Sequence, residues 1–272
     1  MSHRSLAAAP LVGAVAAALV PVLTLPVLAG IGVGFVALLR RTSPGFAAGG
    51  SAAAWAWGAA IPVAVGLAWR LMPVPVGPGL DACGSLASAP MLWRVAQAAA
   101  VLGSLAVVAR LLGADRGSLS MRWPAPGVVV ASIALPLLLA PLALWLGPIL
   151  ALPFFGPVQL ETGMLLAVVP ATILGLANGL LEEVTFRGAL LGWGSRAFGP
   201  FGALIAQAVV FGVVHLGPDF TGNPVPVMLA VGTGGLIAGV IVRRTGSLLL
   251  PIAIHAALDV PLYYVQACRI AA

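Results

Sequence analysis

Charge is what this sequence has least of. Only 7% of its 272 residues are charged and 61% are hydrophobic, and the mean hydropathy is +1.12. A soluble domain of average usage carries roughly 25% charged residues, so this chain could not cover a water-facing surface. Lysine is absent, and all thirteen basic residues are arginine. With abundant Ala, Gly and Pro, that usage fits a GC-rich, bacterial source. Cys83 and Cys268 are the only cysteines, which excludes a disulfide framework and a cysteine metal centre. No internal repeat is evident, so the inverted halves common in secondary transporters are not recognisable.

Long apolar runs take the place of charge. A helix that crosses the hydrocarbon core needs about 20 apolar residues. Segments 5–39, 46–70, 89–112, 126–150, 162–192, 200–217, 225–242 and 247–267 meet that need. The first is long enough for one tilted helix or for a tight pair broken near Pro21 and Pro26. Arg4 precedes it as in a signal peptide, but the run continues to Leu39, past a normal signal core, so it is a retained membrane segment. The expected fold is all-α: a polytopic transmembrane bundle of about eight helices, nine if the first run is split.

The net charge of +6 does not indicate nucleic acid, because the arginines sit singly at segment ends without an aromatic reading surface. They are topology signals. Arg40, Arg41, Arg110, Arg116, Arg122, Arg196, Arg243 and Arg244 fall on one side of an eight-helix arrangement, which the positive-inside rule makes cytoplasmic. Both termini would then lie outside, whereas a split first segment puts the N-terminus inside. The stretch Ser118 to Pro126 reads as an interfacial connector with Trp123 at headgroup level. Cys83 and Cys268 share the outer side, where oxidation could join them; two unpaired thiols are the other reading.

The ionisable residues are unevenly placed. Seven acids and three histidines are present, and His3 lies in the N-terminal tail. Glu182, Glu183, Arg187, His215, His255 and Asp259 all fall within expected membrane segments of the C-terminal third. Each such group costs roughly 2.5–3.5 kcal/mol on insertion scales, so they must share a polar interior site. Helical spacing assigns neighbours. Glu183 and Arg187 are four apart and can pair. Glu182 is rotated by about 100° and stacks near Asn178 and Phe186. His255 and Asp259 are also four apart, and Asp259 can accept the ring N–H and fix the tautomer. Phe211, one turn before His215, can wall the pocket. A carboxylate with two histidines can activate water, with or without a metal, and leave a donor for an oxyanion. At 1.5 Å per residue, Glu182 sits about 15 Å from the inner end of its helix, His255 about 12 Å and His215 about 25 Å. His215 is therefore one to two turns out of register. Gly175 with Gly179, and Gly235 with Gly239, suit close helix contacts.

With these residues in place, the sequence resembles the CAAX prenyl protease and bacteriocin-processing family of intramembrane proteases, also called CPBP or Abi. Glu182-Glu183-x-x-x-Arg187 fits its E-E-x-x-x-R motif, Phe211-x-x-x-His215 its F-x-x-x-H, and His255-x-x-x-Asp259 its last motif. The resemblance covers about residues 120 to 265. It divides the chain into N-terminal transmembrane helices, 1–118, and a protease core, 119–272. It implies an intramembrane endopeptidase that hydrolyses a peptide bond of a membrane-associated protein or peptide near the cytoplasmic half of the bilayer. Glu182 and His215 would activate water, His255 with residue 259 would stabilise the oxyanion, and Glu183 and Arg187 would support them. The family usually has asparagine where this chain has Asp259, and an ionised aspartate cannot donate to an oxyanion. Asp259 would then be protonated, orient His255, or ligate a metal.

The residues leave the cofactor open. Two histidines and a carboxylate satisfy a catalytic zinc site, but the H-E-x-x-H arrangement is absent, which favours a metal-independent glutamate mechanism over a divalent metal. Two other classes fit the composition: a membrane scaffold that keeps the motifs for packing, and a proton-coupled transporter. The arginine asymmetry makes a direct prediction. In intact cells, and with Cys83 and Cys268 replaced by serine, cysteines introduced as Thr42→Cys and Thr245→Cys should resist an impermeant maleimide added outside and react once the membrane is opened; labelling without opening would invert the orientation.

Overall fold

The structure, a computed structural model, describes residues 3–42, 52–72, 89–147, 149, 152, 159–160, 164–216 and 223–270. Cys83 lies outside these residues, and with it the Cys83–Cys268 pairing, as do Asp81, Glu161 and Asp219.

The chain is a helical bundle. Among the described residues its helices are α1 (His3–Leu19), α2 (Thr24–Thr42), α3 (Ala52–Trp69), α4 (Ala89–Leu112), α5 (Pro126–Trp145), α6 (Met164–Glu183), α7 (Gly194–Val214), α8 (Pro224–Thr245) and α9 (Leu249–Cys268). Among the described residues, six helical stretches are long and apolar enough to cross a membrane. The outer surface agrees: Val22, Leu137, Leu138 and Phe201 are all more than two-thirds exposed, which suits lipid and not water. Apart from the helices, a two-residue strand, β1 (Gln159–Leu160), pairs antiparallel with β2 (Arg269–Ile270).

The first apolar run is split. Val20 leaves the helical region, a 3₁₀ turn spans Pro21–Leu23, and α2 follows, so this run forms the tight pair. The arginine rule then places the N-terminus on the arginine-rich side. Segment 162–192 is not one regular helix. After Glu183 the backbone widens into a π-helical stretch, Val184–Trp193, and continues directly into α7. The break comes at Gly199, whose φ of 74° is accessible to glycine, followed by Pro200.

Two close contacts explain this course. A Cβ on Gly192 would stand 2.2 Å from the carbonyl oxygen of Ser118, and one on Gly188 would stand 3.3 Å from that of Leu119. The π-helical stretch thus lies directly on the connector between α4 and α5. The connector is held by Trp193 Nε1 donating to Ser118 Oγ at 3.2 Å and Leu248 N donating to Ser120 O at 3.1 Å. Trp123 projects outward, 87% exposed, as an interfacial tryptophan would.

The two glycine pairs pack as their spacing requires. A Cβ on Gly175 would meet Ala256 O at 2.8 Å, and one on Gly179 would meet Ile252 O at 3.0 Å, so α6 and α9 touch backbone to backbone. Gly235 and Gly239 similarly admit Phe211, Leu204 and Gln207 of α7 against α8. One core runs through the bundle from Leu11 of α1, through Trp55 and Val63 of α3, to Phe211 of α7 and Leu248. Gly175→Ala should force the α6–α9 backbones apart and destabilise the protein by about 1–3 kcal/mol, read as a lower melting temperature in detergent; an unchanged value would mean that the helices do not meet there.

Candidate active site

Glu182 and Glu183 end α6 where the π-helical stretch begins, His215 caps the C-terminus of α7, and His255 and Asp259 lie one turn apart on α9. The structure brings all of these side chains, and Arg187, into one cluster. Glu183 and Arg187 are its most buried members, each 1% exposed, and Arg187 NH1 lies 3.0 Å from Glu183 Oε1. The Arg187 guanidinium also sits 4.0 Å above the Phe211 ring, a cation–π contact that is strong in the absence of water.

His255 donates from Nδ1 to Glu183 Oε1 at 2.7 Å. The partner expected for this ring, Asp259, lies farther away, 3.5 Å from Nε2. Asp259 instead accepts a 2.7 Å hydrogen bond from Asn178 Nδ2. The tautomer of His255 is therefore set by Glu183. The reason is burial: Glu183 is sealed between α6 and α9, where the close glycine contacts bring His255 within reach.

Glu182 faces the other way. Its Oε2 lies 3.6 Å from Nε2 of both His215 and His255. Its Oε1 lies 3.7 Å from NH2 of Arg94 on α4. The expected surroundings of Glu182, only Asn178 and a phenylalanine, omitted this arginine. Helical spacing along α6 cannot reveal a partner from another helix. Arg94 carries no motif, and its isolated position within the apolar run of α4 was the available signal.

The register problem at His215 also resolves. The inner end of the α6 path is Gly199 and not residue 192, and Glu182 and His215 lie nearly equal numbers of residues on either side of it. His215 Nδ1 is 2.7 Å from the carbonyl oxygen of Phe211, so that nitrogen carries the hydrogen and Nε2 presents a lone pair when the ring is neutral. Phe211 stands edge-on to His215 at 4.7 Å and to Phe186 at 4.8 Å. These rings form an apolar wall along the cluster. Beside Glu182 is a cavity lined by Gly66, Arg70, Arg94, Gln97, Thr185 and Val214 among others. Among the described residues, no group of three His, Cys, Asp or Glu side chains is arranged to hold a metal ion.

Arg187 has one obvious function in this geometry. Removing one partner of a buried ion pair leaves an uncompensated charge at a cost of about 3–5 kcal/mol. Arg187→Ala should therefore sharply lower the monodisperse, folded yield in detergent. An abundant, thermally stable variant would show that Glu183 does not depend on it.

Comparison with known proteins agrees with the position of this cluster. Residues 164–261 match the family model described as type II CAAX prenyl endopeptidase, Rce1-like. That stretch contains every one of the three motifs. No curated protein and no solved structure matches the chain. The segment that carries the cluster, α6 to the middle of α9, is thus similar to the type II CAAX prenyl endopeptidases of the Rce1-like kind.

Proposed function

We propose that the protein hydrolyses a peptide bond of a membrane-associated protein or peptide within the bilayer, with Glu182 as the general base. The observation that carries this reading is the placement of Glu182 Oε2, 3.6 Å from Nε2 of His215 and 3.6 Å from Nε2 of His255. Those separations exceed a direct hydrogen bond, and we place one water beside the pair, within hydrogen-bonding reach of Glu182 and His215. An ionised carboxylate and the lone pair on His215 Nε2 are both acceptors. A water between them donates one hydrogen to each and keeps its own lone pairs free to attack.

The steps then follow. The water oxygen bonds to the scissile carbonyl carbon while its proton passes to Glu182, and the carbonyl π electrons become the oxyanion. His255, its Nδ1–H fixed on Glu183, donates Nε2–H to that oxyanion in its imidazolium form, balanced by Glu183 and Asp259. Collapse of the tetrahedral intermediate breaks the C–N bond, and Glu182 returns its proton to the leaving amine. Asp259 need not donate to the oxyanion; it supports the ring that does. The matching family model is described as a CAAX prenyl endopeptidase, which makes a farnesylated peptide the first probe for this chain. We place the protein in the inner membrane of a bacterium on its composition.

The test is cleavage of a quenched fluorescent peptide, with and without a farnesyl group, by purified protein in detergent. Glu182→Gln preserves shape and should lower kcat by the ~10²–10⁴-fold typical of a lost acid–base group. His215→Ala should be comparably impaired, and the double variant little worse than either, because both act on one water. Asp259→Asn should be tolerated or faster, since it offers an amide donor. A chelator should leave the rate unchanged. Loss of activity with chelator and return with zinc would replace this scheme with a metal-activated water; full activity in Glu182→Gln would remove Glu182 from the chemistry.

A further inference from the structure

We propose that Arg94, on α4 and outside the segment matched by the family model, is a positioning residue of the site: it orients Asn178 toward Asp259 and balances the carboxylate of Glu182. The inference rests on the function proposed above for that cluster.

Arg94 meets the site from the N-terminal helices. Its guanidinium donates to Oδ1 of Asn178 and to Oε1 of Gln97, hydrogen-bonds Tyr263, and lies 3.7 Å from Glu182 Oε1. An amide has one accepting oxygen and one donating nitrogen. With Oδ1 of Asn178 taken by the guanidinium, Nδ2 must face the other way, where it donates to Asp259 Oδ2 at 2.7 Å. The flipped amide would set N–H against a cation and C=O against a carboxylate, and both contacts would be repulsive. The same logic fixes Gln97: Oε1 accepts from Arg94, and Nε2 is left for Gly66 O of α3 at 3.4 Å. One cation thus sets two amides and, through Asn178, the carboxylate that stands 3.5 Å from His255 Nε2.

Charge leads to the same residue. Three carboxylates, Glu182, Glu183 and Asp259, converge in a medium that penalises unpaired charge. Arg187 is committed to Glu183. The imidazolium of His255 offsets one more carboxylate, which leaves one negative charge for Arg94. Docking α4 does not require an arginine there, because Ala98 and Val101 of α4 already pack on Leu181 of α6. Arg94 also lines the cavity beside Glu182 and keeps a quarter of its side chain exposed, so it faces that cavity and not the sealed core.

A double-mutant cycle between Arg94 and Asp259 tests the proposal. Arg94→Gln should lower kcat by about tenfold or more with KM within about threefold, the pattern of an interaction that matters in the transition state. Arg94→Lys should fall between, since an ammonium keeps the charge but cannot fork to Asn178 and Gln97 together. Thermal unfolding supplies a readout that needs no proteolysis: Arg94→Gln should lower the melting temperature, and adding Asp259→Asn should restore part of it by removing the carboxylate that lost its support. Wild-type kcat in Arg94→Gln, or strictly additive melting shifts, would overturn the proposal. So would a double variant that folds no better than an unfolded Arg94→Gln, which would make Arg94 a residue of the fold alone. A wild type that cleaves neither peptide would count against the proposed function, while the thermal cycle would still decide the coupling.

Discussion

Charge neutrality in an apolar medium is the constraint on which the rest of this structure depends. The chain has few charged residues to place, yet it buries two glutamates, an aspartate and an arginine in one cluster. Each is tolerable only because another charge or a strong donor lies within a few ångströms. Glu183 is the hub. It forms an ion pair with Arg187 at 3.0 Å and accepts a hydrogen bond from His255 at 2.7 Å, so one carboxylate anchors a cation and fixes an imidazole. Glu182 is held more loosely: Arg94, His215 and His255 each lie beyond 3.5 Å from it. A pair of adjacent glutamates with such unequal environments divides naturally into one structural carboxylate and one that is available to a water.

Backbone packing makes that division geometric. Because Gly175 and Gly179 bring α6 against α9 without intervening side chains, Glu183 reaches His255 directly. The π-helical stretch that follows widens the turn at the residues that must diverge, and such stretches are common at functional sites. The path then runs on to the kink at Gly199, which leaves Glu182 and His215 nearly equal numbers of residues from it. A regular α-helix that ended near residue 192 would leave His215 above the cluster. Rigid backbone contacts on either side of the polar groups suit a site in which small displacements are costly to rate.

Much of this was legible in the sequence. Membrane residence followed from composition, and the spacing of Glu183 and Arg187 gave their pair. The glycine spacing gave the close helix contacts. What the spacing misses has a common cause. It pairs His255 with Asp259, a contact the structure retains at 3.5 Å, but gives both His255 and Glu182 neighbours from their own helices alone. Periodicity ranks contacts within an element and is silent on contacts between elements. Glu183 in the first case and Arg94 in the second come from other helices. The π-helical stretch was hidden for a related reason: it depends on the approach of Gly188 and Gly192 to the connector, a tertiary contact that no local pattern encodes.

Asp259 shows how such contacts change the meaning of a residue. Read alone, an aspartate where the resembled family has asparagine removes a donor from the place where an oxyanion would form. In the structure the amide is present nearby: Asn178 turns its Nδ2 to Asp259. The carboxylate is therefore hydrogen-bonded, and it stands close to His255 Nε2. On the proposed mechanism, the donor to the oxyanion is that nitrogen, and the carboxylate beside it offsets the charge of the imidazolium that donates. An asparagine would offer its own N–H but no such charge. Aspartate and asparagine at this position then represent two ways to meet one requirement, a positive hydrogen facing the developing oxyanion. The aspartate solution carries an added demand, a further cation within reach, and the guanidinium of Arg94 lies on the far side of Asn178 to meet it.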